Sequence, residues 1–301
     1  MLYSEYREPL EDAAAKWFAD HTKAAVNPKA KYILADHTEW PHNLIDDRIL
    51  PLVEGVRPRH TYIHHGLSSQ ALCFNLFGSL LCTGNLAALR EIVLSKGGTW
   101  PEGPCEGQFE FDDIAVFTEN HREQPTSWDF AINLPGKYPF ALVEVKFVEQ
   151  SVGACSVFAR GDCNGGNPAK DFNRCFLQKE KGRTYWQVFQ DCDLLQTPPF
   201  AGTICPMTIY YQFYREATFA AKKNVQVFYI YDDRNPIFGT ADDPDQRGLI
   251  PLLLHDLPPR VRNNILLIPL REIVRSLHNS GDHKTWLPSF ASKYDFAENI
   301  V

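Results

Sequence analysis

Two hydrophobic periods run through this chain. Residues 9–25 repeat at helical spacing: Leu10, Ala13, Ala14, Trp17 and Phe18 form an apolar stripe against Glu11, Asp12, Lys16 and Asp20. Residues 67–81 predict a second helix, with Ser68 or Ser69 as its cap. Residues 85–96 predict a third, closed by Gly97-Gly98. The stretch 27–58 has several prolines and short apolar runs, and reads as an irregular connection. The period then shortens to two. Residues 108–117 predict a strand with Phe109 and Phe111 on one face, and 128–134 and 140–148 a hairpin around Pro135-Gly136-Lys137. A glycine-rich polar loop at 161–169 precedes a helix over 171–195, broken near Gly182. Residues 207–223 predict a helix, 225–231 a strand, 265–268 a short strand and 271–277 a last helix. No internal repeat or low-complexity segment interrupts this order, which is that of an α/β chain built around a mixed sheet.

The hairpin carries charges where a buried strand should carry none. Ser127-Trp128-Asp129-Phe130-Ala131-Ile132 holds an aspartate, and Phe140-Ala141-Leu142-Val143-Glu144-Val145-Lys146-Phe147 holds a Glu-x-Lys. Burying an unpaired charge is expensive. Period-two geometry puts Glu144 and Lys146 on one face and Val143, Val145 and Phe147 on the other, toward the core. If the two strands are antiparallel neighbours, Asp129 approaches Glu144 and Lys146. Two carboxylates and the Val145 carbonyl are hard oxygen donors suited to Mg²⁺, with Mn²⁺ as a substitute. Such an ion polarises a phosphate and acidifies a bound water. Lys146 then orients or helps deprotonate that water and opposes charge building on phosphorus. The competing reading is a solvated face on which strand charges simply pair.

Composition narrows the class. The chain has 301 residues, 44% hydrophobic and 13% aromatic, including 20 Phe, enough for a large packed core. No apolar run reaches 18 residues, so no membrane span is expected. The N-terminal residues show no signal-peptide pattern, and cytoplasmic residence is the default expectation. A net charge of −7 argues against a coat of non-specific nucleic-acid affinity but not against a local basic groove. Eight cysteines include no C-x-x-C pair. Cys73 and Cys82 lie in an apolar stretch, as small hydrophobes do. Cys163, Cys175, Cys192 and Cys205 could meet at zinc or an iron–sulfur cluster only through long-range folding.

Asp129, the intervening turn and Glu144-Val145-Lys146 resemble the signature of the PD-(D/E)xK nuclease superfamily, the fold of many restriction endonucleases. The wider set is similar to bacterial restriction-endonuclease-like proteins: Ser68-Ser69-Gln70-Ala71-Leu72 with Asn75, Thr126-Ser127-x-Asp129, Glu144-Val145-Lys146-x-x-Glu149, and Cys205-Pro206 with Tyr211-Gln212-x-x-Arg215. The resemblance implies a central mixed four-stranded sheet flanked by helices in αβββαβ order. It implies one nuclease-like domain over 1–301, with its core at about 60–235 and additions at both ends. It implies that Asp129 and Glu144 bind metal, that Lys146 supports the attacking water, and that the substrate is DNA. The family helix often supplies a further Glu, and here Gln70 is the nearest polar residue.

Several residues carry two readings. Glu149 is an additional ligand or base, or a solvated strand end. Gln70 reaches the site or stays on its helix. Arg215 binds phosphate or pairs with a buried carboxylate. Arg160, Arg174, Lys179, Lys181 and Arg183 hold a nucleic-acid backbone or form a charged helix surface. His60, His64 and His65 do not form H-E-x-x-H, and Gly161, Gly165 and Gly166 do not form a P-loop. The alternative to an endonuclease is a non-catalytic nucleic-acid-binding module of a defence or mobile-element system. A homodimer would suit cleavage of two strands, but no coiled-coil segment announces one.

Overall fold

Every residue of the strand Ala141–Lys146 is buried, so it must have neighbours on both edges and cover on both faces. The computed structural model, which describes residues 2–120, 125–239 and 248–297, supplies both. A small hairpin of β1 (Val26–Asn27) and β2 (Ala30–Leu34) comes first. The main sheet follows, with β3 (Glu106–Asp112), β4 (Ser127–Asn133), β5 (Ala141–Lys146), β6 (Gln226–Tyr231) and β7 (Ile265–Pro269) side by side in that order. Strand β4 runs antiparallel to both β3 and β5, whereas β6 and β7 add to β5 in parallel. This is the mixed sheet flanked by helices that the sequence predicts, with the C-terminal strand joining its four core strands as a fifth. The 265–268 segment is that added strand. It pairs with β6 from Val227↔Ile265 to Tyr231↔Pro269, because β6 is itself apolar on both faces and could not stand as a bare edge.

Helices cover the two faces. Ser69–Cys82 lies on one, with Leu270–Ser280 and Leu287–Lys293 in the same apolar layer. Ser68 caps the first of these, its Oγ accepting from the Ala71 N–H at 3.3 Å. Phe77 stacks on Phe130 of β4 with ring centroids 4.2 Å apart. Burial of each such ring contributes about 1.5–3 kcal/mol. Met207–Lys223 and Tyr185–Asp191 cover the other face, with Trp128, Leu142, Val227 and Tyr229 beneath them.

The differences from the sequence reading are local. The first helix begins at Tyr3, not Pro9. Its extra turn is held from outside: Tyr6 Oη donates to the Phe147 carbonyl at 2.9 Å and the Tyr3 hydroxyl donates to the Val148 carbonyl. The helix is therefore tied to the end of β5. The break expected near Gly182 is present, its left-handed φ of 66° ending Phe176–Lys181, and the rest of 171–195 folds as further short pieces. The 27–58 stretch contains the β1–β2 hairpin and short helical turns. Among the described residues, no single helix is long and apolar enough to cross a membrane.

Candidate active site

The charged residues meet where two strands part. The β4–β5 ladder runs from Ile132↔Ala141 to Phe130↔Val143 and stops there. One residue further along, the Asp129 carboxylate accepts the Val145 N–H at 2.7 Å, a bond from side chain to backbone. In an extended strand, N–H and C=O of one residue share an edge. The Val145 backbone therefore faces the gap beside Asp129. Val143, Val145 and Phe147 lie in the layer under the Ser69–Cys82 helix, as period two requires. Glu144 and Lys146 form a 2.7 Å ion pair and are only 4% and 6% exposed.

Gln212 of the Met207–Lys223 helix clamps that pair. Its Nε2 donates to Glu144 Oε1 at 2.7 Å, and its Oε1 accepts from Lys146 Nζ at 3.0 Å. The loop after β5 seats the clamp. Gly153, at φ 75°, accepts the Gln212 N–H on its carbonyl, and a Cβ there would stand 2.8 Å from Gln212 Cβ. Glu216, one turn further along the helix, accepts a short hydrogen bond from the Tyr229 hydroxyl.

The β3 side corrects the sequence reading. Phe109 and Phe111 do not share a face: Phe109 packs in one layer and Phe111 against the other. The residue between them, Glu110, has a left-handed φ of 48°, which breaks the alternation. Such a backbone costs about 1–3 kcal/mol in a residue with a side chain. Phe109↔Phe130 and Phe111↔Trp128 pair on either side of it. Glu110 Oε1 accepts from Gln70 Nε2 at 2.6 Å. Gln70 thus points toward the site, through a carboxylate that the sequence reading had not singled out.

The remaining candidates divide. Glu149 accepts the Phe147 N–H at 2.6 Å and acts electrostatically on Lys146. Arg215 stands elsewhere, over the Tyr211 ring at 4.8 Å and 3.7 Å from Glu119, whose other partners are the Tyr185 hydroxyl and the Thr126 N–H, each at 2.6 Å. That is the buried junction, not an open phosphate site. Arg183 is buried and donates to the Thr118 carbonyl at 2.9 Å. Lys179 and Arg160 pair with Glu180 and Asp162.

Crowded acids set the electrostatics. Burial, then the neighbouring Glu144 and Glu110, push the Asp129 carboxyl well above the usual range. Burial pushes Glu110 up to about 7, and Glu144 adds to the shift. Burial and Glu144 push Glu216 up to about 8. Burial alone would lower Lys146, but Glu144, Glu149 and Glu216 outweigh it and hold the ammonium protonated. Burial lowers His60, against the pull of Glu144 and Glu149. A carboxyl raised in the folded state stabilises below its unfolded pKa and loses that contribution as pH rises through the folded value. Metal-free protein should therefore melt higher at pH ~7 than at pH ~9, and Glu216→Gln should flatten that slope. A thermal-melt series across this range checks it.

Hard oxygen donors with excess negative charge fit a divalent cation. Asp129, Glu144, Glu110 and Glu149 all act on this cluster, with the Lys146 ammonium opposing them. Among the described residues, no three His, Cys, Asp or Glu side chains converge as a metal cage. A two-carboxylate site completed by a backbone carbonyl needs no such cage. Three of the four cysteines weighed together in the sequence do come together. Cys155, Cys163, Cys175 and Cys205 line one cavity, without Cys192, and their thiols do not form a metal cage either.

A mixed sheet with an Asp and a Glu-x-Lys at its opening defines a restriction-endonuclease-like α/β core. The profile of the family REase-ARP, described as "Restriction Endonuclease associating with ARP", matches residues 13–295. The chain belongs to that family. No match was found among curated proteins. None was found among solved structures.

Proposed function

We propose that this chain is a Mg²⁺-dependent endonuclease that hydrolyses phosphodiester bonds in double-stranded DNA. The observation that carries the reading is the parted β4–β5 ladder, with Asp129 facing Val145 and the Glu144–Lys146 pair beside it. Asp129, Glu144 and the Val145 carbonyl would hold the ion. Bound there, Mg²⁺ or Mn²⁺ would supply Lewis-acid polarisation of the phosphate and a more acidic water. Lys146 is fixed by Gln212 and Glu144, so its ammonium has few orientations. As an ammonium it would donate to the attacking water and to the phosphate oxygens. Gln212 keeps the ammonium and the carboxylate in register.

We take the work to lie in the cytoplasm, with the chain acting as one nuclease domain. An acidic chain would meet DNA through this site and local basic groups rather than through overall charge. The family description names association with ARP, and we take such a partner, or a second copy of the chain, to complete the working assembly. Supercoiled plasmid, single-stranded circular DNA and structured RNA, each incubated with Mg²⁺, test the substrate. Cleavage confined to the duplex plasmid is expected. Cleavage of RNA alone would overturn the assignment of DNA.

A further inference from the structure

Glu110 sits where a strand residue normally does nothing but alternate. It has a left-handed backbone, lies between two rungs of the β3–β4 ladder, and is half-buried. Its partner Gln70 is fully buried and pinned at three points: Oε1 accepts the His60 N–H at 2.9 Å, and Nε2 donates to the Pro58 carbonyl at 3.2 Å and to Glu110 Oε1 at 2.6 Å. A buried carboxamide held this way cannot swing, so it fixes the carboxylate it holds. The bond occupies Oε1 and leaves Oε2 for another donor. The rungs Phe109↔Phe130 and Phe111↔Trp128 place Glu110 across from Asp129, whose carboxyl it helps to raise. A strained backbone and a dedicated buried glutamine thus deliver one more acid to a site already crowded with them.

We propose that Glu110, aimed by Gln70, is a positioning residue of the metal site that acts through metal-bound water rather than as a direct ligand. The inference rests on the metal-dependent reading above. Asp129 and Glu144 flank the parted β4–β5 ladder, whereas Glu110 stands on β3, on the far side of β4, with one oxygen tied to Gln70; that placement puts it outside the ligand pair. A carboxylate just outside the ligand shell accepts hydrogen bonds from coordinated water and fixes its orientation, and loss of such an outer partner typically weakens metal binding 10–100-fold.

The test is Mn²⁺ titration followed by the paramagnetic resonance of the free ion, beside thermal melting of the metal-free protein. Glu110→Gln keeps the shape and the bond to Gln70 after a carboxamide flip. It should bind Mn²⁺ roughly 10–100-fold more weakly while melting no lower than the unsubstituted protein, since one crowded negative charge has gone. Gln70→Leu should lower Mn²⁺ affinity in the same direction by freeing the carboxylate. Unchanged affinity in Glu110→Gln, with the unsubstituted protein binding normally, would overturn this inference and leave the two-carboxylate site standing. Weaker binding accompanied by a lower melting temperature would make Glu110 a structural residue, which also overturns it. No Mn²⁺ binding by the unsubstituted protein would overturn the metal reading itself, and this inference with it.

Discussion

Asp129→Asn is expected to abolish DNA cleavage and, at the same time, to raise the melting temperature of the metal-free protein. The two effects share one cause. The carboxyl group sits above its usual pKa range because burial, Glu144 and Glu110 disfavour its ionised form. At neutral pH its charge is therefore a cost to the fold. Asparagine removes the charge but retains an oxygen for the Val145 N–H, now 2.7 Å from Asp129 Oδ2. Each kcal/mol recovered should raise the melting temperature by about 2–4 °C in a chain of this size. Activity should fall by at least ~100-fold, which corresponds to roughly 2.7 kcal/mol of lost transition-state stabilisation. Added Mg²⁺ should stabilise the unsubstituted protein through linkage but not the variant. Melting curves with and without Mg²⁺, beside a cleavage assay, check all three expectations. A variant that cleaves normally would remove Asp129 from the site.

Lys146→Ala should also abolish cleavage, but with the opposite effect on stability. The ammonium lies 2.7 Å from Glu144 and 3.0 Å from Gln212 in a nearly closed pocket. Its removal leaves Glu144 among like charges with no counter-ion at that distance. Breaking a buried pair from one side costs about 3–5 kcal/mol. The loss of an oriented donor at the reacting water and phosphate should cost ~10²–10³ in rate. Lys146→Met, which keeps the volume of the stem, separates packing from charge. It should lose stability nearly as Ala does, because the deficit is electrostatic. Chemical denaturation of both variants reads the loss. An unchanged stability would mean that Glu144 finds its neutralisation elsewhere.

The opposite signs at Asp129 and Lys146 also explain why these residues were legible in the sequence. Charge in an apolar, period-two segment stands out in one dimension, and the β4–β5 pairing that brings the residues together is a local hairpin. Glu110 was not legible, because it reaches the site only through a left-handed φ that breaks the alternation on which the strand reading of Phe109 and Phe111 relied. Gln212 and Glu216 depend on how the Met207–Lys223 helix crosses the sheet, a tertiary fact that helical periodicity does not encode. Gln212 did stand in the Tyr211-Gln212 block, and an acid such as Glu216 on an apolar helix face was a usable signal. Arg215 was ambiguous for the same reason: its partner Glu119 is nearly a hundred positions away in sequence. The fifth strand was visible as an apolar segment, but its place beside β6 follows from the need to cover an edge.

The most direct test of the central claim is cleavage of supercoiled plasmid by the unsubstituted chain in Mg²⁺ or Mn²⁺, run beside an EDTA control and Lys146→Ala. Nicked or linear product that disappears in both controls is the predicted result. Cleavage that survives Lys146→Ala yet fails in EDTA would contradict the site assigned here, and cleavage indifferent to EDTA would contradict the metal-dependent mechanism altogether.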